Sequence, residues 1–339
     1  MILNGADPQA VEQAADRLAA GELVAFPTET VYGLGARADD DAAVAKVFAA
    51  KGRPAEHPLI VHVSDTATAR RFAADWSPLA ERLAAAFWPG PLTLIVPRAP
   101  ALAATTASGQ DTIGLRCPAH PLAQALLVAA ARRGVPGVAA PSANRFGRVS
   151  PTTAAHVQGE FGDELTVLDG GPCAVGIESA IVDCSRGRPV LLRPGSLARS
   201  ALAAVSGQPL VEPDEQAPRA SGTLEAHYAP QAKLRLMPAA ALRDALRVWA
   251  DAQAAAAPAA RATRGAPRLA VYSRTVRPPT AAGLVARTMP AAPRAAAYEL
   301  FAVLRELDAL GVALIWVESP PAGADWDGVR DRLQRAAAA

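Results

Sequence analysis

Apolar residues recur at helical spacing from Pro8 to Leu18, behind Asp7, whose carboxylate suits a helix cap, and Gly21 closes the run. Short apolar runs predict strands at Leu23–Phe26, Leu59–Val63, Leu92–Val96, Thr112–Arg116, Val138–Ala140, Leu165–Leu168, Ala180–Asp183 and Val190–Leu192. Between them, helical patterns fall at Ala42–Ala50, Leu79–Phe87, Pro121–Ala131, Thr152–Val157 and Leu197–Val205, with Ser64 and Asp65 as cap candidates for one more. Many strands among short helices imply an α/β domain with a large mixed sheet. The pattern then breaks. Residues 208–221 carry Pro209, Pro213 and Pro218 and little apolar periodicity, so they read as an extended linker. A second α/β unit follows: strand Leu234–Met237, helix Ala240–Ala250, strand Leu269–Tyr272, helix Ala295–Leu310, strand Ala313–Val317 and helix Trp326–Leu333. Within it, Asp251–Pro267 is rich in Ala, Pro and Arg and is expected to be partly mobile. The expected division is 1–207 for the first domain, 208–230 for a linker or lid, and 231–339 for a smaller, Rossmann-like α/β domain.

Composition narrows the function. Hydrophobic residues form 51% of 339, enough for a sizeable core, yet no apolar run approaches the roughly twenty residues of a membrane span. Met1–Asp7 shows no signal-peptide pattern, and Cys117, Cys173 and Cys184 are odd in number and far apart, forming neither a metal-type pair nor a disulfide framework. A reducing cytoplasm fits. With 34 basic against 32 acidic residues, no concentrated basic face advertises nucleic-acid binding. Only Lys46, Lys51 and Lys233 are lysines, which draws attention to a lysine inside a polar motif.

The polar motifs sit at strand ends. Pro27-Thr28-Glu29-Thr30-Val31-Tyr32-Gly33-Leu34-Gly35 follows a strand and combines glycines with hydroxyls, which suits a small polar ligand; alone it also fits an ordinary loop. Lys51-Gly52-Arg53-Pro54 closes a helix, and its two cations can converge on a polyphosphate or merely complement the helix dipole. No Walker loop is present. Strand alternation puts Ile60 and His62 on one face, opposite Val61 and Val63. A lone strand histidine is more often structural than a zinc ligand. Arg116 ends a strand, where it can clamp a carboxylate or form a surface ion pair. Ser142, Asn144 and Ser150 offer neutral donors and acceptors for a ribose, base or phosphate, while Ser150 or Thr152 can also cap the helix that follows. Gly176-Ile177-Glu178-Ser179, Arg193-Pro194-Gly195 and His227-Tyr228-Ala229-Pro230 complete the set.

As an ordered series these motifs resemble the YrdC-type threonylcarbamoyl-AMP synthases in their long, two-domain form; the match runs from Gly5 to about Gly207 and continues in the second unit. The resemblance implies a large curved mixed sheet with a deep cavity and a linker across its mouth. It implies condensation of ATP, L-threonine and bicarbonate, with Mg²⁺ accompanying ATP. The product would feed a separate transferase that modifies tRNA next to the anticodon, with at most weak tRNA contact by this chain. Thr30, His62, Arg116, Ser179 and the Ala140 backbone would hold threonine. Arg53, His57, Thr112, Ser142, Asn144, Ser150, Arg193 and Tyr228 would hold ATP, and Lys51 and Arg53 would act in catalysis. Metal ligands are not readable. Ala180 and His57 depart from the pattern's usual threonine and asparagine. A non-catalytic RNA-binding translation factor would call for basic and aromatic clustering, yet aromatics are only 5%. A carbamoyl-transfer module of hydrogenase maturation would bring paired-cysteine zinc sites, which the chain lacks.

Overall fold

A computed structural model describes residues 1–255 and 269–339. The chain forms two compact units, one of Met1–Phe146 and Ser150–Thr223, the other of Gly147–Val149 and Leu224–Ala339.

In the first unit the order is β1 (Ile2–Asn4), α1 (Pro8–Ala19), β2 (Val24–Phe26), β3 (Gly33–Arg37), α2 (Asp41–Lys51), β4 (Ile60–His62), α3 (Thr66–Arg71), α4 (Pro78–Phe87), β5 (Leu92–Pro97) and β6 (Thr112–Arg116). Then come α5 (Pro121–Arg132), β7 (Val138–Ala139), α6 (Ala154–Phe161), β8 (Thr166–Asp169), β9 (Ala180–Asp183), β10 (Val190–Arg193) and α7 (Arg199–Ser206). The strands form a ten-stranded mixed sheet, in the order β1-β8-β2-β3-β7-β4-β6-β5-β9-β10.

Helix α1 starts as expected: the Asp7 carboxylate accepts from the Gln9 N–H and Pro8 opens the helix. Its buried stripe, Ala10, Val11, Ala14, Ala15 and Leu18, packs with Leu126, Leu127 and Ala130 of α5. In the centre of the sheet the period of two sorts the side chains. Val61, Leu92, Leu94, Leu115 and Val182 enter the main core with α2 and α4. Their neighbours Ile60, His62, Thr93, Ile95, Gly114, Arg116 and Ile181 therefore fall on the opposite face.

Three strands lie outside the sequence expectation. β1 is three residues long and pairs with β8, far along the chain, so no local alternation marks it. β3 begins inside a glycine-bearing motif that reads as a loop. Its Gly35 is required by packing, since a Cβ there would lie 2.8 Å from Val138 Cγ1 and 2.9 Å from Phe26 Cε1. β13 (Leu284–Thr288), in the second unit, pairs with β12 (Leu269–Ser273) at the edge of its sheet, and three of its five residues are exposed. The cap of α6 is Thr153, whose hydroxyl accepts from the His156 N–H at 3.2 Å, not Ser150 or Thr152.

Residues 208–221 are tied down. Val211 bridges Val190, and Asp214 pairs with Arg186 and Arg188 at 2.7 and 2.5 Å. Ala220 packs among Ile95, Ile181, Val190 and Leu192. This segment is a strap on the first unit's sheet, not a free tether.

The second unit has a four-stranded parallel sheet, β11 (Lys233–Met237), β14 (Leu314–Glu318), β12 and β13 in spatial order. Helices α8 (Ala239–Ala255), α9 (Pro293–Ala309) and α10 (Asp327–Ala337) accompany it. At the sheet's carboxyl end the Glu318 carboxylate accepts backbone N–H bonds from Arg274, Thr275 and Val276 at 2.7–3.0 Å. A nest that could take an anion is thus filled by the chain itself. Of the stretch expected to be mobile, residues 251–255 extend α8, and 256–267 lie outside the described residues.

Candidate functional site

The loop after β2 is shaped by Thr28. Its hydroxyl donates to the Val31 carbonyl at 2.7 Å and lies 2.8 Å from the Thr30 hydroxyl. The turn is anchored by Val175 N–H on the Glu29 carbonyl and Tyr32 N–H on the Pro151 carbonyl. This fixes buried Thr30 beside the exits of β4 and β6. There His62 and Arg116 are direct neighbours in the parallel ladder. Arg116 donates to Glu29 Oε1 at 2.7 Å, and Glu29 also accepts from the Ala119 N–H at 3.0 Å. The pair is nearly dry, with side-chain exposures of 5% and 11%.

Two atoms in this corner lack a partner. Arg116 Nε and His62 Nδ1 are both buried and unbonded. Burial, then the Arg116 charge, pushes the His62 pKa down to about 3, so its ring is neutral at physiological pH. Phe26 stands edge-on to that ring at 6.0 Å. Buried polar atoms are seldom left unsatisfied, so a polar ligand is the natural complement.

Lys51 corrects the helix-dipole reading. It is 3% exposed, and its ammonium donates across the site to the carbonyls of Ser142, at 2.6 Å, and Asn144. The end of α2 is instead closed by Gly52 in the left-handed region. Burial first, then the Arg53 charge, holds the Lys51 pKa well below that of a free lysine. Arg53 is buried too, donating to the carbonyls of His57 and Pro58 at 3.3 and 3.1 Å and to Ser221 Oγ at 3.4 Å. Its guanidinium lies 5.7 Å from the Phe146 ring centre, and the His57 ring flanks the same phenyl at 5.5 Å. Burial and the Arg53 charge lower the His57 pKa.

The other rim is built from β9 and β10. Ser179 Oγ lies 2.8 Å from Thr93 Oγ1, and Arg193 donates to the Ser179 carbonyl at 3.1 Å, to its hydroxyl at 3.3 Å and to the Ser221 carbonyl at 2.8 Å. The buried Ser150 hydroxyl donates to Glu178 Oε1. Thr112 opens β6 on the face shared with Arg116, and the Ala140 N–H donates to the Ile60 carbonyl. Linked contacts therefore join His62, Arg116 and Glu29 in one corner, Lys51, Ser142 and Asn144 in another, and Ser179, Arg193 and Arg53 through Ser221 between them. Tyr228 belongs to the second unit. It is 1% exposed there, stacks on Phe301 at 5.5 Å, and has a guanidinium, that of Arg332, 5.3 Å from its ring centre.

Residues 16–195, more than half of the chain, match the family model Sua5_yciO_yrdC, described as telomere recombination. Residues 196–338 match the threonylcarbamoyl-AMP synthase C-terminal domain. The chain belongs to the threonylcarbamoyl-AMP synthase family. The Bacillus subtilis threonylcarbamoyl-AMP synthase is 43% identical over 236 residues, covering 68% of this chain and 67% of that protein. The Pyrococcus abyssi synthase is 42% identical over 220 residues, covering 63% of this chain and 64% of that one. These alignments span about two thirds of each relative's length. A crystal structure of P. abyssi Sua5 complexed with L-threonine superposes with a TM-score of 0.86 at 33% identity, covering 99% of this chain and 97% of that one.

Several site residues of this family member escape a sequence reading. Glu29 and Glu178 stand inside quoted motifs, and a carboxylate amid apolar and hydroxyl residues was the available signal. Thr93, a lone hydroxyl in an apolar strand, gave a weaker one. Phe146 and Ser221 gave none, because their neighbours come from distant parts of the chain. Among the described residues no group of three or more His, Cys, Asp or Glu converges as a metal site, and no helix is long and apolar enough to cross a membrane.

Proposed function

We propose that this chain is itself a threonylcarbamoyl-AMP synthase, a nucleotidyltransferase that joins ATP, L-threonine and bicarbonate into threonylcarbamoyl-AMP and pyrophosphate. The observation that carries the reading is the corner where buried His62 Nδ1 and Arg116 Nε lack partners, beside a buried carboxylate that holds the guanidinium. An amino acid's carboxylate suits that arginine, because a guanidinium can fork onto two oxygens. Thr30, Ser179 and the Ala140 backbone surround the same ligand in this proposal. A neutral His62 serves as a fixed hydrogen-bonding group, not as an acid.

ATP is assigned to Arg53, His57, Thr112, Ser142, Asn144, Ser150 and Arg193, which offer cations and neutral donors. Tyr228 is assigned to the nucleotide by the family resemblance alone. Mg²⁺ arrives on the phosphates as part of the nucleotide substrate. The threonine amine takes up inorganic carbon as a carbamate, a carbamate oxygen attacks the α-phosphorus, and pyrophosphate leaves. Nothing in this sequence demands an acid–base triad. Positioning and charge neutralisation by Lys51, Arg53 and Arg193 do the work, as in other phosphoryl-type transfers. The product would pass, in the cytoplasm, to a transferase that modifies tRNA.

The test is pyrophosphate release from ATP with threonine and bicarbonate supplied together or omitted singly. Release should require both. Equal turnover with serine, or turnover unchanged without either co-substrate, would defeat the assignment, since an apolar pocket for threonine's methyl group discriminates by about tenfold or more.

A further inference from the structure

Thr93 is the one polar side chain in β5, and it is fully buried. A buried hydroxyl in an apolar strand has to be matched, because leaving it unbonded costs stability. In the antiparallel ladder Leu94 pairs with Leu115 of β6, so Thr93 falls one step on, beside Arg116. Its partner on β9 is Ile181, two residues after Ser179. His62 lies on the far side of Arg116, in the β4–β6 ladder. A row across one face of the sheet therefore runs His62, Arg116, Thr93, and Ser179 stands just ahead of β9 at its end.

The Thr93 side chain is turned within that row. A Cβ at Gly114 of β6 would lie 3.5 Å from Thr93 Cγ2, so the methyl leans toward β6. The hydroxyl leans the other way, to the start of β9, where Oγ1 lies 2.8 Å from Ser179 Oγ. Ser179 is fully buried as well, and its hydroxyl also accepts from Arg193 Nη2 at 3.3 Å. The two hydroxyls bring two hydrogens, while the Arg193 contact is a donor and occupies a lone pair. Whichever way the Thr93–Ser179 bond runs, one hydrogen finds no acceptor among the described residues. A buried donor left in that state calls for an acceptor on a ligand. Were Ser179 the donor, the spare hydrogen would sit on Thr93, whose oxygen is turned away from Arg116 and from a carboxylate held there. With Thr93 as donor, both Ser179 lone pairs are taken and Ser179 keeps its hydrogen for the pocket.

We infer that Thr93 is a positioning residue of the amino-acid pocket: its hydroxyl donates to Ser179, so that Ser179 presents its own hydrogen to an oxygen of the bound amino acid. The inference rests on the synthase reading above, which gives Ser179 a ligand but no polarity and gives Thr93 no role. A serine free to rotate accepts from an ammonium as readily as it donates to an oxygen. With both lone pairs taken by Thr93 and Arg193 it can only donate, which turns the amino acid's oxygen, not its nitrogen, toward β9. The chemistry gains from this. A hydroxyl that accepted from the ammonium would favour the protonated form, which has no lone pair for attack on carbon. Thr93 thus leaves the amine disengaged from this rim, acting through Ser179 without touching the substrate.

Calorimetry on the full chain tests this. Thr93→Val keeps the shape and removes the hydrogen, so the threonine dissociation constant should rise by about fivefold to tenfold, the scale of one lost hydrogen bond. ATP affinity should hold within about twofold, and Thr93→Ser should restore threonine binding. Because Thr93 acts through Ser179, Thr93→Val should cost less than about twofold once Ser179 is already alanine. An unchanged threonine affinity, an equal loss for ATP, no rescue by Thr93→Ser, or the full cost on the Ser179→Ala background would each overturn the inference. A second measurement needs no change at Thr93. Ser179→Ala should weaken 3-hydroxybutanoate, which is threonine without its amine, by as large a factor as it weakens threonine. If the analogue loses nothing, Ser179 serves the ammonium and the inference fails while the synthase reading stands. An unaltered chain that binds no threonine would defeat the synthase reading, and this inference with it.

Discussion

At the scale of single residues, burial decides what each polar group can do. Lys51 gives its ammonium to two carbonyls of the 142–144 loop, so it joins two segments as well as placing a charge. Truncating it leaves both carbonyls short of a donor, at a cost of about 1–3 kcal/mol. Lys51→Arg is the cleaner variant: it keeps the charge but cannot place a compact ammonium between those carbonyls. Turnover should fall by about a hundredfold with a smaller loss in melting temperature, the scale of removing one preorganised electrostatic group. A fully active Lys51→Arg enzyme would show that the charge alone matters. Glu29 touches no substrate in the proposed arrangement but holds Arg116 and the Ala119 N–H. Glu29→Gln should raise the threonine KM by about tenfold or more, the worth of a charged hydrogen bond, while the ATP KM stays put. A uniform rise in both would mark Glu29 as merely structural. His62 carries a pH prediction. Its folded pKa, about 3, lies below the unfolded 6.5. Between those values the unfolded chain binds the extra proton, so stability is full above pH 6.5 and declines as pH falls below it. The loss is on the order of 1.4 kcal/mol per pH unit for one such group. Melting curves from pH 7 to 5 should therefore be steeper for the wild type than for His62→Gln, and parallel curves would refute this.

Among the elements, legibility followed how local the signal was. α1, α4 and α5 each announce themselves with a proline in the first turn and a polar cap, and their buried stripes follow the helical period. β4 was legible down to the face, because a period of two separates Ile60 and His62 from Val61 and Val63. β3 was not, because its glycines carry a loop signal, and only contact with Val138 and Phe26 explains Gly35. The hold on the strap was not legible for a related reason. Three prolines and few apolar residues suggest an extended linker, yet Val211 and Ala220 find partners on β9 and β10. Its hold predicts a proteolysis result. Gln110 Oε1 accepts from the Arg219 N–H at 2.9 Å while its amide donates to the Arg219 carbonyl at 3.2 Å, a reciprocal clamp. Cleavage after Arg219 should be slow in the wild type and at least several-fold faster in Gln110→Ala, since two hydrogen bonds of about 1 kcal/mol each keep that backbone in place. Equal rates would show that Gln110 contributes nothing to the clamp.

At the scale of the molecule, the first unit includes the strap up to Thr223. A fragment ending at Thr223 should therefore fold, whereas one ending at Gly207 strips Ala220 and Val211 from the sheet. Calorimetry should place the shorter fragment on the order of 10 °C lower, the shift expected for a few kcal/mol in a domain of this size. Equal melting of the two would mean the strap adds no stability. The sequence by itself determined the α/β class, the order of most elements and the motif series that marks the family. These depend on local periodicity, capping and spacing, which short windows of the chain contain. It could not determine that Lys51 reaches the 142–144 loop, that Glu29 holds Arg116, or that the Thr93 hydroxyl meets Ser179. Those facts come from strand order and from contacts between residues many tens of positions apart. Long-range packing decides them, because burial and partner, not residue type, set what a side chain can bind.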